Sequence, residues 1–209
     1  MDWDSIISLI FAILVVIAFP LAFRRRKKAG PQKREELCQH LEEIGLRVSL
    51  IEKGSEKEKI GLRRAWGQRS EGIIALEDRN IDSINVISVA SQYGTNYFLD
   101  YLVKSPNITT NRTLKKTRLT VKKSLFLWGK AVAMEWKGDK SLAPSLNFDY
   151  ILKDKLLQSN LNTLRSVWLF PEPKQGYTRI RTAYSLPSPE IFGAMDIIAR
   201  HIKSWQPRQ

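Results

Sequence analysis

Residues 6–23 read IISLIFAILVVIAFPLAF, and residues 24–28 read RRRKK. No other stretch limits so strongly what this chain can become. Thirteen of the eighteen residues are Ile, Leu, Val or Phe, and none is charged. At 1.5 Å per residue a helix of this length spans about 27 Å, close to the hydrocarbon thickness of a bilayer. Its insertion is favourable by on the order of 4 to 8 kcal/mol. Ser8 can bond within its own helix, and Pro20 falls in the last turn, where a membrane helix tolerates a kink. The pattern predicts a single transmembrane helix from Ile6 to Phe23.

A cleaved signal peptide opens on basic residues and closes on a small-x-small site. This chain opens Met-Asp-Trp-Asp, and Ala22 leads into Phe23 and five cations. Asp2 follows Met1, so no myristoylation signal is present, and Cys38 lies too far inward to anchor a lipid at the junction. Asp2 and Asp4 flank one end of the span, and seven bases without an acid lie in 24–34. The positive-inside tendency then places the N-terminus outside and the rest of the chain on the cytoplasmic side. Three regions are expected: a tail and span over 1–23, a polybasic juxtamembrane linker over 24–34, and a domain over 35–209.

The net charge of +13 is segregated. Residues 24–34 hold seven bases, and residues 101–134 hold eight bases and no acid. Residues 1–23 carry two acids, and the remainder balances at 19 bases against 19 acids. The domain is therefore neutral apart from one internal cationic zone. One cysteine excludes an internal disulfide framework and fits a reducing compartment. The sequons at Asn107 and Asn111 matter only on an outside face, so the expected topology makes them chance matches.

The domain reads as α+β. Pro31 to Gly45 suits a short helix with Leu37, Leu41 and Ile44 on one stripe. Alternating or β-rich runs then follow at 46–52, 62–67, 71–77, 84–91, 97–103, 119–127 and 130–137. Their short spacing predicts an antiparallel sheet rather than βαβ winding. A helix is expected over 145–159 with Ser145 as N-cap. Strands are expected at 167–170 and 177–184, around a Pro-rich turn. The last helix, 188–206, is the clearest: Ser188 caps it, Pro189 opens it, and Ile191, Met195, Ile198, Ile202 and Trp205 form its apolar stripe.

Motifs for chemistry are sparse. Cys38 and His40 point to different sides of a helix, and neither His40 nor His201 sits in a metal spacing. No GxSxG, P-loop, GxGxxG or HExxH occurs. The sequence singles out no catalytic residue, metal ligand or cofactor. Glu77 and Asp78, beside Arg79 and Asn80, read as solvated turn chemistry.

The cationic zones carry the functional reading. Arg24, Arg25, Arg26, Lys27 and Lys28 border the inner leaflet, where each base is worth up to about 1 kcal/mol against anionic lipid. They also serve simply to stop and orient the span. Arg112, Lys115, Lys116, Arg118, Lys122 and Lys123 form the second zone. Part of it alternates with Leu119 and Val121, giving a basic face or edge on a strand, and bases on an edge strand also act to prevent sheet-to-sheet pairing. The expected function is a membrane-anchored binding or assembly module with anionic lipid headgroups, or a protein in the membrane, as partner. Two alternatives stay open: a membrane-tethered enzyme, and a nucleic-acid binder stacking bases on Trp128 and Trp136.

Overall fold

A computed structural model describes residues 30–52, 67–105, 115–123, 131–159 and 166–205. The expected span Ile6–Phe23, the bases Arg24 to Lys28, Arg112, Trp128 and all but the last residue of the strand expected over 62–67 lie outside the described residues. Among the described residues no helix is long and apolar enough to cross a membrane.

Eight strands form one antiparallel sheet in the order β1-β2-β3-β4-β8-β7-β5-β6. They are β1 (Val48–Leu50), β2 (Gln68–Leu76), β3 (Ser83–Ser91), β4 (Gly94–Lys104), β5 (Thr117–Lys123), β6 (Ala131–Lys137), β7 (Trp168–Glu172) and β8 (Tyr177–Ala183). β2, β3 and β4 follow one another as hairpins, as the short spacing of β-rich runs implies, and β1 pairs antiparallel with β2. β8 then adds beside β4 with Asp100 opposite Arg181. β5 lies between β6 and β7, so of the two readings left open for its bases, an edge or a face of a strand, the edge does not hold. Lys122 and Lys123 belong to β5.

Among the described residues four α-helices accompany the sheet: α1 (30–43), α2 (Leu142–Phe148), α3 (Tyr150–Gln158) and α4 (Pro189–Ser204). All four contribute to one core cluster. It joins Leu37 and Leu41 of α1, Leu146 of α2, Leu156 of α3 and Met195, Ile198 and Ile202 of α4. The sheet supplies Ile84, Val86, Leu99, Tyr101, Leu169 and Ile180 to the same cluster. Successive residues of a strand point to opposite faces, so Phe98, Asp100 and Leu102 lie on the face away from that cluster. All helical contributions to the core come from one side, which leaves the other sheet face to a different chemistry.

The final helix follows its expected pattern. Ser188 accepts a hydrogen bond from the Ile191 amide at 3.3 Å, Pro189 opens the helix, and the predicted stripe is buried. Glu190 lies in the positive first turn.

The helix expected over 145–159 is two helices. Asp149 breaks the run by adopting an extended backbone (φ −82°, ψ 101°), and its carboxylate accepts the Leu152 amide at 2.9 Å to cap α3. The break frees the first amides of α3 from the carbonyls that a continuous helix would give them, and the short acid side chain satisfies one of them. Ser145 is therefore not an N-cap; it lies inside α2 and its hydroxyl meets His201 Nδ1 at 2.7 Å. Asn80, expected in a solvated turn, binds α4 instead. Its amide and side chain donate to the two Asp196 oxygens at 2.8 and 2.9 Å.

Candidate functional site

The sheet face that no described helix covers carries a chain of charges, buried at Asp100 and Arg179 and half-buried at Glu172 and Arg181. Arg181 and Asp100 share one position across β8 and β4. Arg181 Nε donates to Oδ1 of Asp100 at 2.6 Å, and Nη2 donates to Oδ2 at 2.7 Å. Arg179, two residues along the same strand, reaches the same Oδ2 through Nη1 at 3.1 Å. Its Nη2 donates to Glu172 Oε1 at 2.6 Å, across the β7–β8 pair. The order Glu172–Arg179–Asp100–Arg181 thus alternates in sign across three strands. Asp100 is fully buried, and Arg179 nearly so.

Burial alone lowers the affinity of Arg179 for its proton. The charges of Asp100 and Glu172 outweigh that cost, and the net effect holds the guanidinium even more firmly protonated. Two acids balance two arginines, so the network itself is neutral. Arg179 Nε is buried without a hydrogen-bond partner, as is the Asn85 side-chain amide nitrogen opposite Asp100 in β3.

Aromatic rings extend the site toward β5. Trp168 and Phe170, alternate residues of β7, stack with centroids 6.1 Å apart and planes 20° apart. Arg179, Arg181 and Lys116 all lie over the Phe170 ring, at 5.2, 5.7 and 5.2 Å from its centroid. Arg118 lies 5.6 Å over Trp168, and Arg181 lies 5.5 Å over Phe98. A cation over an aromatic face gains from the ring quadrupole, and Arg adds planar stacking. Between these groups is a cavity of about 290 Å³ lined by Phe98, Lys116, Ser166, Trp168, Phe170, Arg181, Thr182 and Ala183. That volume sits at the lower end of small-molecule sites.

Register explains the convergence. Arg118 stands opposite Trp168, Trp168 opposite Arg181, and Arg181 opposite Asp100. Side chains at directly opposed positions share a sheet face. Among the described residues neither Lys116 nor Arg118 has an acidic partner, and both are exposed at the cavity's border.

Of the bases singled out in the sequence, Lys116 and Arg118 come together here, and Lys115 is exposed beside them. Asp100, Glu172, Arg179, Arg181, Phe98, Trp168 and Phe170 were not foreseen as site residues. Their signal was present: an Asp inside the apolar run YFLDYLV, and Arg-Ile-Arg at alternate positions of a strand. Trp136 is buried in the core and is not available to stack a nucleobase.

A second polar cluster joins the helices. His201 Nε2 meets Asp149 Oδ2 at 2.8 Å while its Nδ1 meets the Ser145 hydroxyl. The order Ser–His–Asp resembles a nucleophile relay, but Asp149 spends Oδ1 on capping α3 and also faces Arg200 at 3.4 Å. The cluster pins the α2–α3 break to α4. Among the described residues no group of three or more His, Cys, Asp or Glu is placed to hold a metal ion.

Compared with known proteins, the chain matches no family model, no curated protein and no solved structure.

Proposed function

We propose that this chain is a membrane-anchored binding module, N-terminus out, whose α+β domain works at the inner surface of the membrane. Its cavity takes an anionic group carried on an apolar body. The observation that supports this reading is the convergence of Lys116, Arg118 and Arg181 on the wall of Phe98, Trp168 and Phe170. Arg181 is already oriented by Asp100, so it presents its guanidinium without first being ordered. Preorganised donors lose less entropy on binding. The apolar rings accommodate the body of the ligand, and the two surplus cations attract its charge.

The same chemistry is offered by an anionic lipid headgroup and by a soluble organic anion. Full-length protein in phosphatidylcholine nanodiscs separates them. One arm adds phosphatidylglycerol to the disc, and the other adds phenyl phosphate to the solution. Hydrogen exchange over 115–118 and 166–172 is expected to slow in one arm, and the slowing is expected to vanish in Lys116→Glu. Unchanged exchange in both arms overturns the reading of the cavity. The anchor is read separately, by resistance of the chain to alkaline carbonate extraction and by protease access to its C-terminus in inside-out vesicles.

A further inference from the structure

The polybasic linker expected over 24–34 ends in Lys33 and Arg34, and the structure places both in α1, docked on one end of the sheet. Lys33 Nζ stands over two rings, 4.3 Å from the centroid of Tyr184 and 5.2 Å from that of Tyr97. The rings meet edge to face with centroids 6.4 Å apart. The Tyr184 hydroxyl donates to the Lys33 carbonyl oxygen at 2.8 Å, with Glu36 Oε2 beside it at 3.2 Å. Arg34 lies across Gly72 of β2, where a Cβ would collide with its side chain. Gly30 lies against the carboxylate of Glu71 in the same way, and Glu71 is buried and accepts the Ser88 hydroxyl at 2.6 Å. The start of α1 is thus held by β2, β4 and the residue that follows β8.

The docked turn and the cavity share this end of the sheet. Phe98 and Ala183, which line the cavity, pair across β4 and β8. Their outward neighbours, Tyr97 and Tyr184, hold Lys33, and the Tyr184 amide donates to the Tyr97 carbonyl at 3.0 Å. Neighbouring residues of a strand point to opposite faces, so α1 is docked on one face and the cavity lies on the other.

We infer that the docked turn holds the cavity at the inner leaflet, and that the cavity's anionic ligand is a lipid headgroup drawn from that leaflet rather than a dissolved anion. This rests on the membrane-anchored reading above and names the source of that cavity's ligand. Length decides it. Only residues 24–29 separate the expected span from the docked turn, and six residues reach at most about 20 Å. From Tyr97 to Lys104 the sheet extends about 23 Å, so the domain cannot stand on the far end of its sheet. Charge alone does not select the docked end, because Glu35 and Glu36 stand on the same turn as Lys33 and Arg34. The short tether selects it. It keeps headgroups at a high effective concentration beside Lys116 and Arg118, and it does nothing for an anion in solution.

The test uses the full chain in phosphatidylcholine nanodiscs that carry phosphatidylglycerol and a rhodamine-headgroup lipid. A donor fluorophore is placed at Tyr93→Cys, on the exposed β3–β4 turn at the docked end, or at Arg79→Cys, exposed in the turn at the other end of β3. The chain's one cysteine, Cys38, is buried and labels slowly. Energy transfer to rhodamine is expected to be stronger from 93 than from 79. Equal or reversed transfer overturns the inference. In unlabelled chain, eighteen flexible Gly and Ser residues inserted between 28 and 29 leave every docked contact in place and lengthen the tether. The phosphatidylglycerol content that half-slows hydrogen exchange over 115–118 and 166–172 is expected to rise several-fold, and the half-point for phenyl phosphate is expected to stay where it was. An unchanged phosphatidylglycerol half-point overturns the inference, as does slowing by phenyl phosphate alone in the parent. No slowing in either arm fails the cavity reading and takes the inference with it. A chain stripped by carbonate fails the anchored reading with the same consequence, whereas a chain that resists carbonate and shows equal transfer fails the inference alone.

Discussion

Arg181 grips both carboxylate oxygens of Asp100 from the neighbouring strand, at 2.6 and 2.7 Å, on a sheet face where Asp100 has no solvent exposure. The pair holds an arginine side chain at the wall of the cavity in a fixed orientation. Removing one partner of a buried ion pair leaves the other charged and dry, which costs about 3 to 5 kcal/mol. Asp100→Ala strands both Arg181 and Arg179, so it is expected to lose at least that much in urea unfolding of the full chain in detergent. Arg181→Lys keeps the charge but cannot bridge two oxygens, and it is expected to cost less, about 1 to 2 kcal/mol. Equal and small losses in both variants overturn the assignment of Asp100 as the shared anchor.

Salt separates the two kinds of charge in the site. Lys116 and Arg118 are exposed, and their attraction for an anion is screened over about 10 Å at 0.1 M salt. Asp100 is buried and Arg181 half-buried, and the pair is screened much less. Raising salt is expected to weaken anion binding several-fold while the unfolding midpoint stays nearly constant. Lys116→Ala is expected to weaken binding and flatten its salt dependence, with stability changed by less than about 0.5 kcal/mol. Fluorescence titration and thermal unfolding on the same samples check both statements.

Much of the fold was legible because it depends on local rules. Val, Ile and aromatic alternation marked the strands, and the apolar stripe with Ser188 and Pro189 marked α4. The break at Asp149 was missed because the apolar run LNFDYILKDKLL continues through it. Only the contact of Asn147 with β6, and of Asp149 with α4, makes two helices better than one. The place of β5 stayed undecided for a related reason, since lysines on a strand look alike at an edge and on an open face. The site was half legible. Lys116 and Arg118 announced themselves by charge, whereas Asp100 and Arg181 lie 81 residues apart and meet only through the β4–β8 pairing.

Acid sensitivity is expected to concentrate at the start of α2. Burial pushes the Asp139 carboxyl up, but hydrogen bonds from the Ser141 amide and hydroxyl, the Leu142 amide and the Lys115 amide outweigh it and hold the group below its usual range. A carboxyl depressed in the folded state stabilises the fold above its unfolded pKa of about 3.9 and loses that contribution as pH falls through the folded value. Asp139→Asn is expected to cost about 1 kcal/mol near neutral pH. The gap between variant and parent is expected to close as pH drops below about 4. Asp149 is also held low, burial being outweighed by its bonds to His201 and the Leu152 amide, so the Asp139→Asn variant keeps a residual acid dependence of its own. Urea midpoints measured across pH decide this; a gap that stays constant into acid refutes the role of Asp139.

Gly138 couples the fold to the cavity. It follows β6 with φ +145°, and a Cβ there meets the Lys116 carbonyl oxygen and sits 2.6 Å from Thr117 Cα. Backbone cannot swing aside as a flexible side chain can, so β5 itself has to move. Gly94 offers the matched control: its φ is +135°, and a Cβ there meets nothing within 4 Å. Gly94→Ala therefore reports backbone strain alone, on the order of 1 to 3 kcal/mol. Gly138→Ala carries similar strain plus an overpacking cost of about 1 to 3 kcal/mol. Because the displaced backbone is that of Lys116 and Thr117, the extra loss is expected to appear in anion binding as well as in the melting temperature. Gly94→Ala is expected to lower the melting temperature and leave binding intact. Thermal unfolding with phenyl phosphate titration of both variants distinguishes them, and equal binding in the two refutes the coupling of Gly138 to Lys116.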